Sequence, residues 1–320
     1  MSRTTPSVTL DDIRAARERI AGSVMRTPLV PLNVEGVEAY LKLESLQPIG
    51  SFKLRGAGSA ITLATPEQLK YGVYTASAGN MAQGVAWHAR RLGIPCTVIV
   101  PDHAPATKLA AITRMGGTII KVPFAEWWQV LVTGHYEGQR GLFIHPVSDP
   151  PVLAGNGTIG LEILEDLPDV DEILVPYGGG GLICGIAIAV RALKPDTRIL
   201  ACEVETSAAL SAALEAGAVT RINYQPSFVD GIGSGGVLEE MWPLARQLLD
   251  GSLVMTLGDV TEAVRTLVER NRVVAEGAGA TAVAAALRGN AERGRPRSGK
   301  IVCVVSGGNI DLPTLAGILQ

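Results

Sequence analysis

Residues 172–186 read Glu-Ile-Leu-Val-Pro-Tyr-Gly-Gly-Gly-Gly-Leu-Ile-Cys-Gly-Ile. A short β-rich run, Glu172–Val175, meets four glycines and then an apolar helical stretch over 182–192. Ordering Gly178, Gly179, Gly180 and Gly181 costs more chain entropy than a plain turn needs. Without side chains, their successive N–H groups can form a nest around an anion at the helix start. The dinucleotide fingerprint G-x-G-x-x-G does not fit, because its last glycine would fall on Ile183 or Cys184, and no Gly-Lys-Ser/Thr follows for a nucleoside triphosphate. The stretch favours a phosphate cradle for some other ligand over a merely structural turn.

Outward from this turn, the strand–turn–helix pattern repeats. Strands are expected at Gly72–Thr75, Cys96–Val100, Thr118–Val122 and Leu142–Ile144, with helices near 79–92, 105–115 and 124–134. Arg198–Glu203 and Val302–Val305 continue the strand series, with helices around 206–216, 259–274 and 278–288, and 290–299 reads as an exposed loop. Before them, Thr9-Leu-Asp-Asp12 is a capping box for a helix to about Gly22, Thr27-Pro28-Leu29 breaks it, and Ala39–Leu43 is a short strand. Strands separated by helices of this length pair in parallel through right-handed crossovers. The fold class is therefore α/β, with two open, mostly parallel sheets flanked by helices.

Composition agrees. A chain of 320 residues is long enough for about two domains. With 28 Lys+Arg against 31 Asp+Glu, the net charge of −3 carries no footprint for nucleic acid or an anionic membrane. Hydrophobic residues at 47% against 18% charged exclude global disorder. Apolar runs such as Ile183–Val190 stop short of the ~18 residues of a bilayer span, and Asp11, Asp12 and Glu18 sit where a signal peptide would be apolar. The chain reads as a soluble, cytoplasmic protein. Cys96, Cys184, Cys202 and Cys303 form no C-x-x-C pair and read as buried free thiols.

In open α/β sheets ligands sit beyond the carboxyl ends of strands, and three further turns stand out. Pro48-Ile-Gly-Ser-Phe-Lys-Leu-Arg-Gly-Ala57 places Lys53 between Phe52 and Leu54. An amine in such a setting loses hydration, its pKa falls, and it becomes a nucleophile or base; the alternative is a solvated lysine beside Arg55. Thr75-Ala-Ser-Ala-Gly-Asn-Met81 lies between a strand and a helix, so it is either a second anion-binding turn or an ordinary cap by Ser77. Ser306-Gly-Gly-Asn309 puts a hydroxyl at a strand end, backed by two glycines.

Taken in order, S-F-K-L-R-G-A, S-A-G-N, G-G-G-G-L and S-G-G-N resemble the fold-type-II pyridoxal-phosphate enzymes, whose fold is that of the tryptophan synthase β chain. More narrowly they resemble the threonine/serine dehydratase and serine racemase family, from Thr27-Pro28-Leu29 through H-P-x-x-D-P at 145–150 and A-G-N-G-T-I-G at 154–160 to Asn309. The resemblance implies that Lys53 holds pyridoxal 5'-phosphate as a Schiff base and later serves as acid/base at the substrate's Cα. It implies that Gly178, Gly179, Gly180 and Gly181 bind the cofactor phosphate, that Asn80 meets the phenolic oxygen and that Ser306 meets the pyridine nitrogen. Phe52 would pack on the ring, and Ser77, Ala78 and Gly79 would hold the substrate carboxylate. It further implies a large cofactor-binding domain over 1–71 plus 148–320, a small substrate-closing domain over 72–147, and a homodimer. A neutral serine on the ring nitrogen leaves a weaker electron sink. That suits prompt β-elimination of water from an L-β-hydroxy amino acid, giving a 2-oxo acid and ammonia.

Departures refine the expectation. Racemases of the family carry a serine where this chain has Ala78, so racemisation should be weak. Met81 replaces a histidine, making that wall more apolar. Trp127-Trp128 lies where relatives are polar, either packed structurally or shaping the entrance for an aryl substrate such as β-phenylserine. Glu203 matches the first ligand of a divalent-cation site, but six residues on is Ala209, so no metal is expected. Glu276 matches a family position near the cofactor without a clear role, and His88, His103, His135 and His145 read as structural or solvent-facing. The chain stops too soon after Asn309 for a regulatory domain, so no feedback by isoleucine is expected. The alternatives are a racemase or β-replacement enzyme of the same fold and, from another class, a non-catalytic sensor of phosphometabolites; a nicotinamide oxidoreductase fails on the missing fingerprint.

Overall fold

The alternating pattern builds two sheets. The computed structural model describes residues 3–292 and 299–320, with backbone alone at 290–292. The larger sheet has six strands in the order β1 (Leu29–Pro31), β2 (Ala39–Leu43), β10 (Ile301–Val305), β7 (Glu172–Pro176), β8 (Arg198–Val204) and β9 (Gly251–Met255). Only the β1–β2 pair is antiparallel. The smaller sheet runs β5 (Thr118–Val122), β4 (Cys96–Pro101), β3 (Val73–Ala76), β6 (Leu142–Phe143), all parallel. Strands β7 and β10 are buried at every position, as expected of parallel strands covered on both faces. The capping box at Thr9 forms as read, opening the Leu10–Ile20 helix. All four cysteines are buried, and no helix among the described residues is long and apolar enough to cross a membrane.

Several elements differ from the sequence reading. β1 falls where a break is expected, and β9 lies in a stretch with no strand signal; both are edge strands whose half-exposed residues give no strong alternation. The expected helix over 259–274 is an α-helix only for Leu257–Thr266, then a π-turn, Leu267–Asn271, closed by Arg272 in the left-handed region. Helix Gly277–Glu292 takes in the first residues of the expected loop over 290–299, and residues 293–298 lie outside the described residues.

The largest departure is a central helix, Pro150–Asp166, buried over most of its length. Its glycines, which argue against a helix on propensity, are positions of close approach. A Cβ at Gly155 would lie 2.4 Å from the carbonyl oxygen of Arg55, so the Lys53–Leu63 helix packs there backbone to backbone. Asp149 precedes the helix and Pro150 starts it, which suits a proline at the first turn.

A buried ionic cluster locks these helices to the sheet. Arg55, 1% exposed, donates to Glu44 on one side (2.8 Å) and to Glu162 on the other (2.7 and 2.9 Å), with Thr158 at 3.0 Å. Lys42 on β2 adds a 2.6 Å contact to Glu162, and Thr27 donates to Glu44 at 2.6 Å. The charge of Arg55 is matched by carboxylates more than a hundred residues apart. Replacing one partner leaves the others buried and uncompensated. Arg55→Met is expected to cost about 3–5 kcal/mol of stability in equilibrium urea unfolding; a loss below about 1 kcal/mol would mean the carboxylates find water instead.

Candidate active site

The carboxyl ends of β7 and β10 lead into 178–181 and 306–309 on one edge of the larger sheet, and the end of β3 in the smaller sheet leads into 77–80, which lines the same cavity. The fourth is stitched to them. Ser51 bridges Gly307, Phe52 N–H donates to the Ser306 carbonyl at 3.0 Å, and Gly308 N–H to that of Gly50 at 2.9 Å. Phe52, Lys53, Ser77, Ala78, Gly79, Asn80, Met81, the four glycines and Ser306 all line one cavity of about 340 Å³.

Lys53 opens the first turn of its helix. Its Nζ donates to the carbonyl of Pro146 at 2.6 Å and lies 5.1 Å from the Phe52 ring centre. Burial lowers its pKa from 10.5 to about 8, with the carboxylate of Glu276 pulling the other way. The surface-lysine alternative is therefore wrong. The accepting carbonyl is itself fixed: His145 Nδ1 accepts from the N–H groups of Val147 (3.1 Å) and Ser148 (2.8 Å). Burial pushes His145 down to about 3, so the ring stays neutral with that nitrogen as an acceptor. Its reading as a structural histidine holds, and what it structures is the lysine's partner.

Across the cavity, Gly180 sits at φ 91°, a left-handed position that suits glycine, as the cap of the Gly181–Leu193 helix. The first N–H groups of that helix have no intrahelical acceptors and point toward the turn. Ser306, 3% exposed, puts its hydroxyl at the end of β10. A buried amine with a lowered pKa, a glycine-rich helix start and a buried neutral hydroxyl on one cavity form a donor set that fits pyridoxal phosphate.

The other expected residues divide. Met81, 1% exposed, forms an apolar wall, packed on Val85 and Val98 of the cluster behind it. Asn80 donates to Glu276 at 2.9 and 3.2 Å, and burial raises the Glu276 carboxyl from 4.5 to about 7. Trp127 and Trp128 are not among the lining residues, which favours the packed reading over the aryl entrance. Alternation along the small sheet sends Val73, Val98 and Val100 toward Met81, but Tyr74, Ala76 and Ile99 to the opposite face, where Trp127 packs. Trp128 is 40% exposed beside it. Glu203 is fully buried, and its carboxylate accepts from Leu210 N–H, Ser211 N–H and the hydroxyls of Ser211 and Ser252, at 2.7–2.8 Å.

Sequence reasoning missed Pro146 as the lysine's acceptor, and His103, Lys108 and Asp230 at the rim. Lys108 and Asp230 form an ion pair across the mouth, 122 positions apart, which no local pattern signals.

Residues 20–307 match the family model described as pyridoxal-phosphate dependent enzyme. The chain belongs to that family. It is 39% identical to an L-threonine ammonia-lyase of Thermotoga maritima over 98% of this chain and 78% of that one. To the catabolic L-threonine dehydratase TdcB of Escherichia coli K12 it is 36% identical, over 97% and 96%. Among solved structures, maize serine racemase superposes with a TM-score of 0.90 at 34% identity, covering 97% of this chain and 96% of that one. A threonine deaminase from Solanum lycopersicum, the processed form of isoform 2, gives 0.86 at 30% identity, covering 99% and 95%. The protein is thus a pyridoxal-phosphate-dependent enzyme with the fold-type-II architecture, and the sensor alternative falls.

Only the neutral amine attacks an aldehyde, so the depressed Lys53 pKa has a kinetic consequence. The rate at which pyridoxal phosphate attaches to the apoprotein, followed by absorbance, should rise with pH and level off near 8, in a window of about 7 to 9. A rate still climbing above pH 10 would show a solvated lysine.

Proposed function

We propose that the enzyme eliminates water from an L-β-hydroxy amino acid of the threonine/serine type, the released enamine then taking up water to give a 2-oxo acid and ammonia. The carrying observation is the Lys53 amine facing, in one cavity, the Ser77–Asn80 turn and the glycine turn; the names of its relatives supply the reaction class.

In this reading Lys53 Nζ would hold the cofactor through its aldehyde, and Gly178, Gly179, Gly180 and Gly181 would hold its phosphate through backbone N–H groups. Ser306 would meet the ring nitrogen, Asn80 Nδ2 would donate to the ring oxygen, and Phe52 would pack on the ring. Bound there, pyridoxal phosphate supplies a sink for the electron pair released at the substrate's Cα. Ser77 Oγ and the backbone N–H groups of Ala78 and Gly79 grip the substrate carboxylate at a helix start, where the dipole favours an anion. Lys53 would take the Cα proton as a free amine; its lowered pKa suits a base working near neutrality. Met81 and its apolar neighbours keep water from that wall.

We also propose that residues 72–147 form a small domain that closes on the substrate against a large domain of 1–71 plus 148–320, and that the enzyme is a cytoplasmic homodimer. No resident divalent cation is assigned, since the lone pairs of Glu203 are taken by four internal donors.

A panel of β-hydroxy amino acids tests this by 2-oxo acid formation. Threonine and serine should be turned over, and with Trp127 on the far face of the sheet kcat/KM for threonine should exceed that for β-phenylserine by about tenfold or more. No 2-oxo acid from any member would refute the assignment. Serine racemisation tests the opposite face of the site. Ala78 has no proton to give, so the enzyme should racemise slowly, and Ala78→Ser should raise that rate by at least about tenfold. Equal rates in the two proteins would show that the reprotonating group lies elsewhere.

A further inference from the structure

Glu276 has no part in the reading above, yet its carboxylate is the only acid aimed at the Asn80 amide among the described residues. It sits immediately before helix Gly277–Glu292, and its own N–H is tied to the Gly307 carbonyl at 3.0 Å. The slot it occupies is narrow: a Cβ at Gly307 would stand 2.7 Å from Glu276 Oε1.

On the other side of Asn80 lies Asn309. Its Nδ2 donates to the backbone carbonyl of Ile49 at 2.8 Å and to Asn80 Oδ1 at 2.8 Å. The sense of this chain of amides follows from its ends. A backbone carbonyl can only accept, so it is the nitrogen of Asn309 that faces both Ile49 and Asn80. Asn80 must then present its oxygen to Asn309 and its nitrogen toward Glu276, and an ionised carboxylate, which also only accepts, agrees. Above pH 7 the carboxyl of Glu276 is mostly ionised.

We propose that Glu276 is a positioning residue that, together with Asn309, fixes which end of the Asn80 amide faces the cofactor ring. An amide free to flip would present a carbonyl oxygen to the ring oxygen half the time, exchanging a donor for a repulsive contact. Clamped from both ends, it presents N–H at no further cost in order. The inference rests on the assignment of Asn80 to the ring oxygen made above.

The test uses purified holoenzyme at pH 8, reading the dissociation constant of pyridoxal phosphate and the absorption maximum of the bound cofactor. Glu276→Leu should weaken cofactor binding by about tenfold and move the band, whereas Glu276→Gln, whose side-chain oxygen still accepts, should stay within about threefold. Asn309→Leu should reproduce the leucine effect from the other end. In an Asn80→Ala background, Glu276→Leu should add less than about twofold, because the residue through which it acts is gone. Equal losses for Glu276→Leu and Glu276→Gln, an unmoved band, or a full additional loss in the Asn80→Ala background would each overturn the proposal. If Asn80→Ala by itself leaves affinity and band unchanged, the fault lies in the assignment of Asn80, and the proposal falls with it; if Asn80→Ala matters and Glu276→Leu does not, only the role of Glu276 fails.

Discussion

One primary amine, held out of water but not out of reach, is the constraint on which the site depends. Lys53 gives up hydration to stand at the cavity wall, and burial drives it toward the neutral form that can attack an aldehyde. It keeps a single strong hydrogen-bond acceptor, the Pro146 carbonyl, whose orientation is set by the neutral His145 ring. On the far side of the same helix Arg55, two residues along, is immobilised between Glu44 and Glu162. A flexible side chain is thus carried by a first turn that cannot shift without breaking a buried ionic cluster.

The two sheets serve that amine by direction. Within each sheet these parallel strands end on one edge, and the two edges face one cavity, so turns after β3, β7 and β10 line it although they are spread over more than two hundred positions. In the proposed function each turn would contribute a different chemistry: a carboxylate grip, an anion-binding helix start and a neutral hydroxyl. The seam between the sheets is bridged at the rim by the Lys108–Asp230 pair. Its two partners are partly exposed, so its contribution is screened by water.

Much of this is legible in the chain because the signals are local. Buried parallel strands are largely apolar runs, and β2, β4, β7 and β10 fall where those runs lie. The glycine turn and the lysine flanked by Phe52 and Leu54 carry their chemistry in neighbouring residues. Other features are not legible, because their causes are distant in sequence. Glycines at 155, 157 and 160 lower helix propensity locally, yet the Pro150–Asp166 helix needs them where the Lys53–Leu63 and Gly181–Leu193 helices press on it. The place of Trp127 eludes a local reading because the face of a sheet on which a helix packs depends on strand register, which an isolated Trp-Trp pair does not report. The Asn309–Asn80–Glu276 chain joins residues about two hundred positions apart and has no local trace at all.

The chemistry stands or falls on where the cofactor is attached. Borohydride reduction of the yellow holoenzyme, followed by proteolysis and mass spectrometry, locates the reduced pyridoxyl adduct on a single peptide. The structure predicts one adduct, on Lys53, with Lys42 and Lys108 unmodified. An adduct on any other lysine, or a chain that remains unlabelled, would contradict it.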